Sequence, residues 1–305
     1  MASALSSLSS RAIISRIIEE LNSPPIDWVS KCSTTPLPSN TLTETYAGLG
    51  AVPPLKVMDN ANPVYGDLRG YTLQITNAPY QTGFRVNVDD VRREKTGQVD
   101  QKITDLGARY NEHWDKLVTA LIVANGTCFD GVAFFASTHA SSGSNQTNLT
   151  AATGTSPTAA QMEAGLLAGL TTLYSLKDDQ GEPINQSKKL FIAMFPVAHM
   201  ASLYGALRLT GLAQTGGPQP SVIATLEGVQ IVPVVNPRLS TANVGYLMAA
   251  DGRSFIRQQE TGPEITAIAE GSEHAKKHRE HLYGVATVRG AGLGAWQSAT
   301  KITFS

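Results

Sequence analysis

From Gln98 onward apolar residues recur at intervals of three and four: Val99, Ile103, Leu106, Tyr110, Trp114, Leu117 and Leu121. That spacing places them on one face of a helix ending at Asn125-Gly126. At 1.5 Å per residue, about 28 residues make a rod of roughly 40 Å. Asp100, Lys102, Asp105, Arg109, Glu112 and Lys116 take its other faces, so the rod is half exposed. A second row, Met162, Leu166, Leu170 and Leu173, predicts a helix over 158–176, with Ser156-Pro157 as its cap and first turn. Near the start, Ile13, Ile14, Ile17, Ile18 and Leu21 share a helical face and predict a short amphipathic helix that needs a partner surface.

Elsewhere the pattern is of strands. Ser23-Pro24-Pro25, Pro36, Pro38, Pro53 and Pro54 keep the chain after the first helix extended, as a long arm without a core of its own. Residues 52–58 and 70–76 read as the two legs of a hairpin around a turn-rich tip at 59–67. A bare hairpin is marginal in water, so this one needs support from outside. Phe84, Val86 and Val88 alternate as one more strand. Strands at 190–195, 229–235, 244–248 and 254–257, a helix at 197–207 and a loop rich in Gly and Pro at 211–220 complete a mixed sheet with helices packed on it, an α+β fold. At the end, Tyr283, Val285, Val288, Leu293, Trp296 and Ile302 supply the buried face of a strand, a turn hinged on Gly290, Gly292 and Gly294, and a second strand.

Composition adds one lean. Only 16% of the 305 residues are charged, below the roughly 25% of a soluble domain. A surface poor in Lys and Glu is what subunit interfaces present. Net charge is −1, so no strong field draws the chain to nucleic acid or anionic lipid, and specific DNA binding is disfavoured. No run of 18 apolar residues exists to span a membrane. The two cysteines, Cys32 and Cys128, fit neither a zinc nor a redox spacing and read as reduced thiols. Residues 1–16 are rich in Ser with Arg11 and Arg16, the make-up of a transit peptide, but Glu19 and Glu20 argue against one. The two Asn-x-Thr sequons at 145–150 read as polar loop.

Catalytic and metal readings find little. His274, His278 and His281, flanked by Glu273 and Glu280, could line a helical stripe, but Lys276, Lys277 and Arg279 among them repel a cation and the zinc-protease Glu after the first His is missing. His139 near Asp130, Ser137 and Thr138 suggests a nucleophile and base, yet no nucleophile elbow or oxyanion turn accompanies them, and a polar group bonding its own loop is favoured. Residues 211–217 lack a phosphate-loop lysine, and no dinucleotide fingerprint occurs. No catalytic residue, cofactor or metal site is expected.

Three phrases carry a resemblance. Leu282-Tyr283-Gly284-Val285 followed by 290–297, Gly-Ala-Gly-Leu-Gly-Ala-Trp-Gln, is similar to the carboxyl end of the Mu-like prophage major head subunit family; 129–139, with Asp130-Gly131, Phe134-Phe135 and His139, and 71–91, with Gly83-Phe84-Arg85-Val86, match it in the family's order. The resemblance implies the Hong Kong 97-type phage capsid fold. Mapped on this chain, it implies an amino-terminal arm at 1–50, an extended hairpin at 51–80, a peripheral domain at 81–154 and 271–305 with its spine helix at 98–125, and an axial domain at 155–270. It implies a major capsid protein that closes into pentamers and hexamers of an icosahedral shell around double-stranded DNA, made in the bacterial cytoplasm and found in the virion. The partners implied are copies of itself, then scaffold, portal and decoration proteins, with non-specific contact to packaged DNA and none to membrane. No amino-terminal removal is expected. The residues expected to touch other subunits are Ile13, Ile17 and Leu21 in the first helix, Asp59, Tyr65, Asp67 and Arg69 around the hairpin tip, and Gln214 and Gln219 in the axial loop. The rival readings are a tail tube or decoration protein, which the long helix and two-part layout disfavour, and an α/β hydrolase.

Overall fold

The computed structural model describes residues 10–22, 26–49, 70–92, 96–141, 144–208, 211–214 and 217–305. Helices α1 (Ser10–Leu21) and α2 (Asp27–Cys32) lead to the two-residue strand β1 (Leu37–Pro38) and to β2 (Thr43–Leu49), β3 (Gly70–Thr76) and β4 (Ala78–Asn87). The short α3 (Val88–Arg92) precedes the rod, α4 (Thr96–Ala124). Next come β5 (His139–Ser141), β6 (Ser144–Gln146), β7 (Leu149–Ala152), α5 (Ala159–Ser175), β8 (Leu190–Phe195) and α6 (Met200–Arg208). The rest of the chain forms β9 (Gly211–Gln214), β10 (Gly217–Pro220), α7 (Val222–Thr225), β11 (Gln230–Val235), β12 (Val244–Ala249), β13 (Phe255–Ile268), α8 (Glu273–His278), β14 (Glu280–Leu293) and β15 (Ala299–Phe304).

Two sheets organise these elements. A four-stranded sheet runs β1-β13-β14-β4 and a five-stranded one β11-β8-β12-β15-β7; β2-β3, β5-β6 and β9-β10 are separate ribbons. Strand β8 crosses over through α6 to its parallel partner β11, the connection that parallel strands require. Helix α5 lies against the five-stranded sheet at close range because Gly165 and Gly169 face Phe304 and Ile302, where an added Cβ would come within 2.9 Å of either ring or methyl. Thr158 caps α5 in a reciprocal box with Gln161. That places the cap two residues beyond the expected Ser156, because Thr158 has a Gln three residues on to return the bond.

The rod is 29 residues long and ends where Asn125 takes a left-handed φ of 47° and ties its side-chain amide to Phe135. Its buried row begins as expected with Val99, Ile103, Leu106, Tyr110 and Trp114, then passes to Val118 and Ile122, leaving Leu117 and Leu121 half covered. Two apolar clusters share this helix: one takes Trp114, Val118 and Ile122 with both faces of the five-stranded sheet, the other Val99 to Tyr110 with α1 and β14.

Three expectations change. The leg that pairs with β3 is β2, in register from Thr43↔Thr76 to Leu49↔Gly70, whereas the expected leg at 52–58 lies outside the described residues. The expected strand at 254–257 extends to Ile268 as β13, pairing with β14 across two irregularities at Gln259/Thr261 and Thr261/Glu264. Strand β13 thus belongs to the four-stranded sheet, and β15 pairs with β12 and β7 in the five-stranded sheet. Backbone pairing, not position in the chain, decides which sheet a strand completes. Gly290 and Gly292 lie inside β14 rather than in a turn, where Cβ atoms would come within 2.7 Å of the Thr76 carbonyl and 2.6 Å of Ile75; they let β3 pack closely on the sheet.

Candidate assembly surfaces and buried polar hubs

The first-helix residues go somewhere other than expected. Ile13, Ile17 and Leu21 are buried in the chain's own second cluster, against Val99, Ile103, Tyr110 and Tyr283. The apolar stripe of α4 and the inner face of β14 offer a complementary surface within the same chain, worth about 1.5–3 kcal/mol for each isoleucine covered. Gly107 makes the close approach possible, since a Cβ there would lie 2.6 Å from the Cβ of Glu20. Ile18, 47% exposed, is the apolar side chain that α1 turns outward.

Asp59, Tyr65, Asp67 and Arg69 lie outside the described residues, between the ends of β2 and β3. Gln214 and Gln219 stand in a two-stranded ribbon, paired with Gly217 and Leu212, where a loop was expected.

Two buried acids that sequence reasoning passed over hold elements together. Asp115 on α4 accepts a bond from Trp28 Nε1 at 3.0 Å and one from Arg238 Nε at 2.7 Å, while Asn236 Nδ2 reaches the adjacent Thr119 hydroxyl at 2.8 Å. Helix α2, the rod and the turn after β11 therefore meet at one carboxylate. Glu163 on α5 does similar work for α7. The available signal was an acid directly after a buried stripe residue, Asp115 after Trp114 and Glu163 after Met162. A cleft of about 490 Å³ opens beside Asp115, bounded by Ile26, Trp28, Glu112, Val234, Pro237 and Arg238 among others, and its lining includes no Ser, Thr, Cys or His to act as a nucleophile.

Arg289 of β14 is 1% exposed, with its guanidinium over the rings of Tyr110 at 4.4 Å and Trp114 at 4.8 Å and one bond to the Tyr110 carbonyl at 3.0 Å. Burial pushes it down to about 10. Burial and the Arg289, Lys116 and Arg238 cations push His113, whose ring packs tilted against Tyr80, down to about 4.

The residues weighed for chemistry take structural places. His139 is fully buried, with Nδ1 2.6 Å from Asp130 and Nε2 3.2 Å from the Phe134 carbonyl, its ring stacked at 3.9 Å on Trp296. The histidine stripe breaks because α8 stops at His278, where Arg279 turns left-handed at φ 54°, and His281 is buried in β14. Among the described residues no group of three or more His, Cys, Asp or Glu could hold a metal, and no helix is long and apolar enough to cross a membrane. Both cysteines are free and buried; burial raises the Cys32 thiol and pushes Cys128 up to about 12.

A long rod packed between two sheets, with a ribbon leaving each, is the Hong Kong 97-type phage capsid fold. Residues 27–162 match the family described as Mu-like prophage major head subunit gpT. Similar solved structures include the procapsid of bacteriophage JBD30 (TM-score 0.54, 18% identity, covering 99% of this chain and 76% of that one). The mature capsid of bacteriophage PhiM1 (0.56, 10%, 93% and 88%) and a virus-like particle from Pyrococcus furiosus (0.52, 10%, 96% and 98%) are also similar. At these identities they establish the fold alone. No curated protein matches the sequence.

Proposed function

We infer that this chain is the major capsid protein of a tailed bacteriophage or prophage, a structural subunit and not an enzyme, which builds an icosahedral shell around double-stranded DNA. The observation that carries this reading is the match of residues 27–162 to a major head subunit family on a chain whose whole course follows a capsid fold. Copies of itself are its partners, in pentamers and hexamers assembled in the host cytoplasm; scaffold, portal and decoration proteins join it there, and DNA contact is non-specific. The segment joining β2 to β3, with Asp59, Tyr65, Asp67 and Arg69, reaches a neighbouring subunit, and the β9-β10 ribbon, with Gln214 and Gln219, meets its copies around each ring axis. Two-stranded ribbons are marginal alone, so both gain from a neighbour's surface. Ile13, Ile17 and Leu21 are left out of this contact set, because their stripe is already covered within the chain.

Negative-stain microscopy of the overexpressed protein tests the reading: shells or rings are expected, and tubes or dispersed monomers would overturn it. Asp67→Lys and Arg69→Glu should lower particle yield while the subunit still folds. Normal particles from both variants would remove the hairpin from the contacts.

A further inference from the structure

We propose that Glu163 is a positioning residue for ring closure, a buried clamp that fixes the direction in which the β9-β10 ribbon leaves the body of the subunit. The proposal rests on the reading of that ribbon as an inter-subunit contact.

The geometry is local and closed. Ser221 directly follows β10, is fully buried, and caps α7 by accepting the Ala224 N–H at 3.2 Å. Its own hydroxyl donates to Glu163 Oε1 at 2.8 Å, and the Ile223 N–H donates to the same oxygen at 3.0 Å. One carboxylate oxygen therefore receives two bonds from the first turn of α7. The Ile223 side chain packs into the core beside them. The other leg of the ribbon follows α6, which packs on α5, so both roots of the ribbon are referred to one helix.

A carboxylate is an expensive choice at this position. Glu163 is 5% exposed on a helix that otherwise buries Met162, Leu166, Leu170 and Leu173. An apolar residue of similar volume there would pack at no desolvation penalty. What it could not do is receive the Ser221 hydroxyl and the Ile223 N–H, and α7 is only four residues long, too short to set its own direction. The acid thus contributes orientation more than stability, which is what a subunit needs if its ribbon must meet five or six copies about an axis.

The test compares Glu163→Ala, Glu163→Gln and wild type by ring assembly as a function of concentration and by hydrogen exchange of the unassembled subunit. Glu163→Gln keeps an oxygen acceptor and should assemble like wild type. Glu163→Ala should speed amide exchange at 211–225 by about thirtyfold, the effect of losing two buried hydrogen bonds, leave β8 and β12 unchanged, and assemble only at higher concentration. Unchanged exchange at 211–225, or assembly of Glu163→Ala at the wild-type concentration, overturns the proposal. If Glu163→Ala loosens the entire subunit, Ser221→Ala, which leaves α5 untouched, decides by the same two readouts. A wild type that never forms rings sinks the capsid reading instead, while the exchange comparison still reports on the clamp.

Discussion

The indole N–H of Trp28 donates to the carboxylate of Asp115 at 3.0 Å across 87 residues of sequence. Helix α2 is thereby fixed to the second half of the rod, and Arg238 seals the other oxygen at 2.7 Å. Asp115→Ala should leave the indole and the guanidinium facing an apolar gap and lower unfolding stability by about 2–4 kcal/mol. Chemical denaturation measures it; a loss below about 0.5 kcal/mol would mean the three elements are held by packing alone.

Glycines separate by what surrounds them. At Gly294 an added Cβ would lie 2.2 Å from the Arg253 carbonyl oxygen, a backbone atom that cannot step aside, so Gly294→Ala should destabilise by about 1–3 kcal/mol. Gly97, exposed in the first turn of α4 with nothing within 4 Å, should gain from Gly97→Ala by about 0.5–1 kcal/mol through helix propensity. Thermal midpoints moving in opposite directions are the expected result.

Acid should weaken the subunit through His113. Its imidazole is held down to about 4 in the folded chain, against about 6.5 when unfolded. Between those values the unfolded chain binds more protons, so stability falls as pH drops through the window and levels off below it. Denaturation profiles of His113→Gln should be flatter than wild type over that range; parallel profiles would put the acid sensitivity elsewhere.

Arg289 offers a test of what a buried cation contributes. Among the described residues its Nε and Nη1 have no hydrogen-bond partner, and its guanidinium lies over two rings and bonds one carbonyl. Arg289→Met keeps the length, removes the unsatisfied groups and should stay within about 1 kcal/mol of wild type. Arg289→Ala, which empties the space between Tyr110 and Trp114, should lose about 2–4 kcal/mol. Equal losses in both variants would show that the charge itself matters.

What could be read from sequence depended on how local the determinant was. The rod came within two residues of its observed ends because its stripe repeats along one element, and strand 190–195 stands where its apolar run put it. Strand β13 was read only at its start, since Gly262-Pro263 and a largely exposed Glu264 to Ile268, in which Ile265 is partly buried, blur any alternation, and pairing with β14 holds them extended. The partner of β3 was misplaced because Thr43 to Leu49 carries few apolar residues. The hubs at Asp115 and Glu163 were legible only in part: an acid directly after a buried stripe residue marks each position, but their donors come from 87, 123, 58 and 60 residues away, so nothing nearby in the chain names the partners. The first helix was recognised as amphipathic, but periodicity cannot say whose surface covers a stripe.

The rod is rooted at one end among Val99, Ile103 and Leu106 and at the other among Val118 and Ile122, in two different apolar clusters. A strut seated in this way transmits thrust: a push on either cluster travels down its ladder of peptide bonds to the other, sparing the thin connections between the sheets. In the proposed shell, that would make each tile stiff along the line of the strut and leave compliance to the two-stranded ribbons.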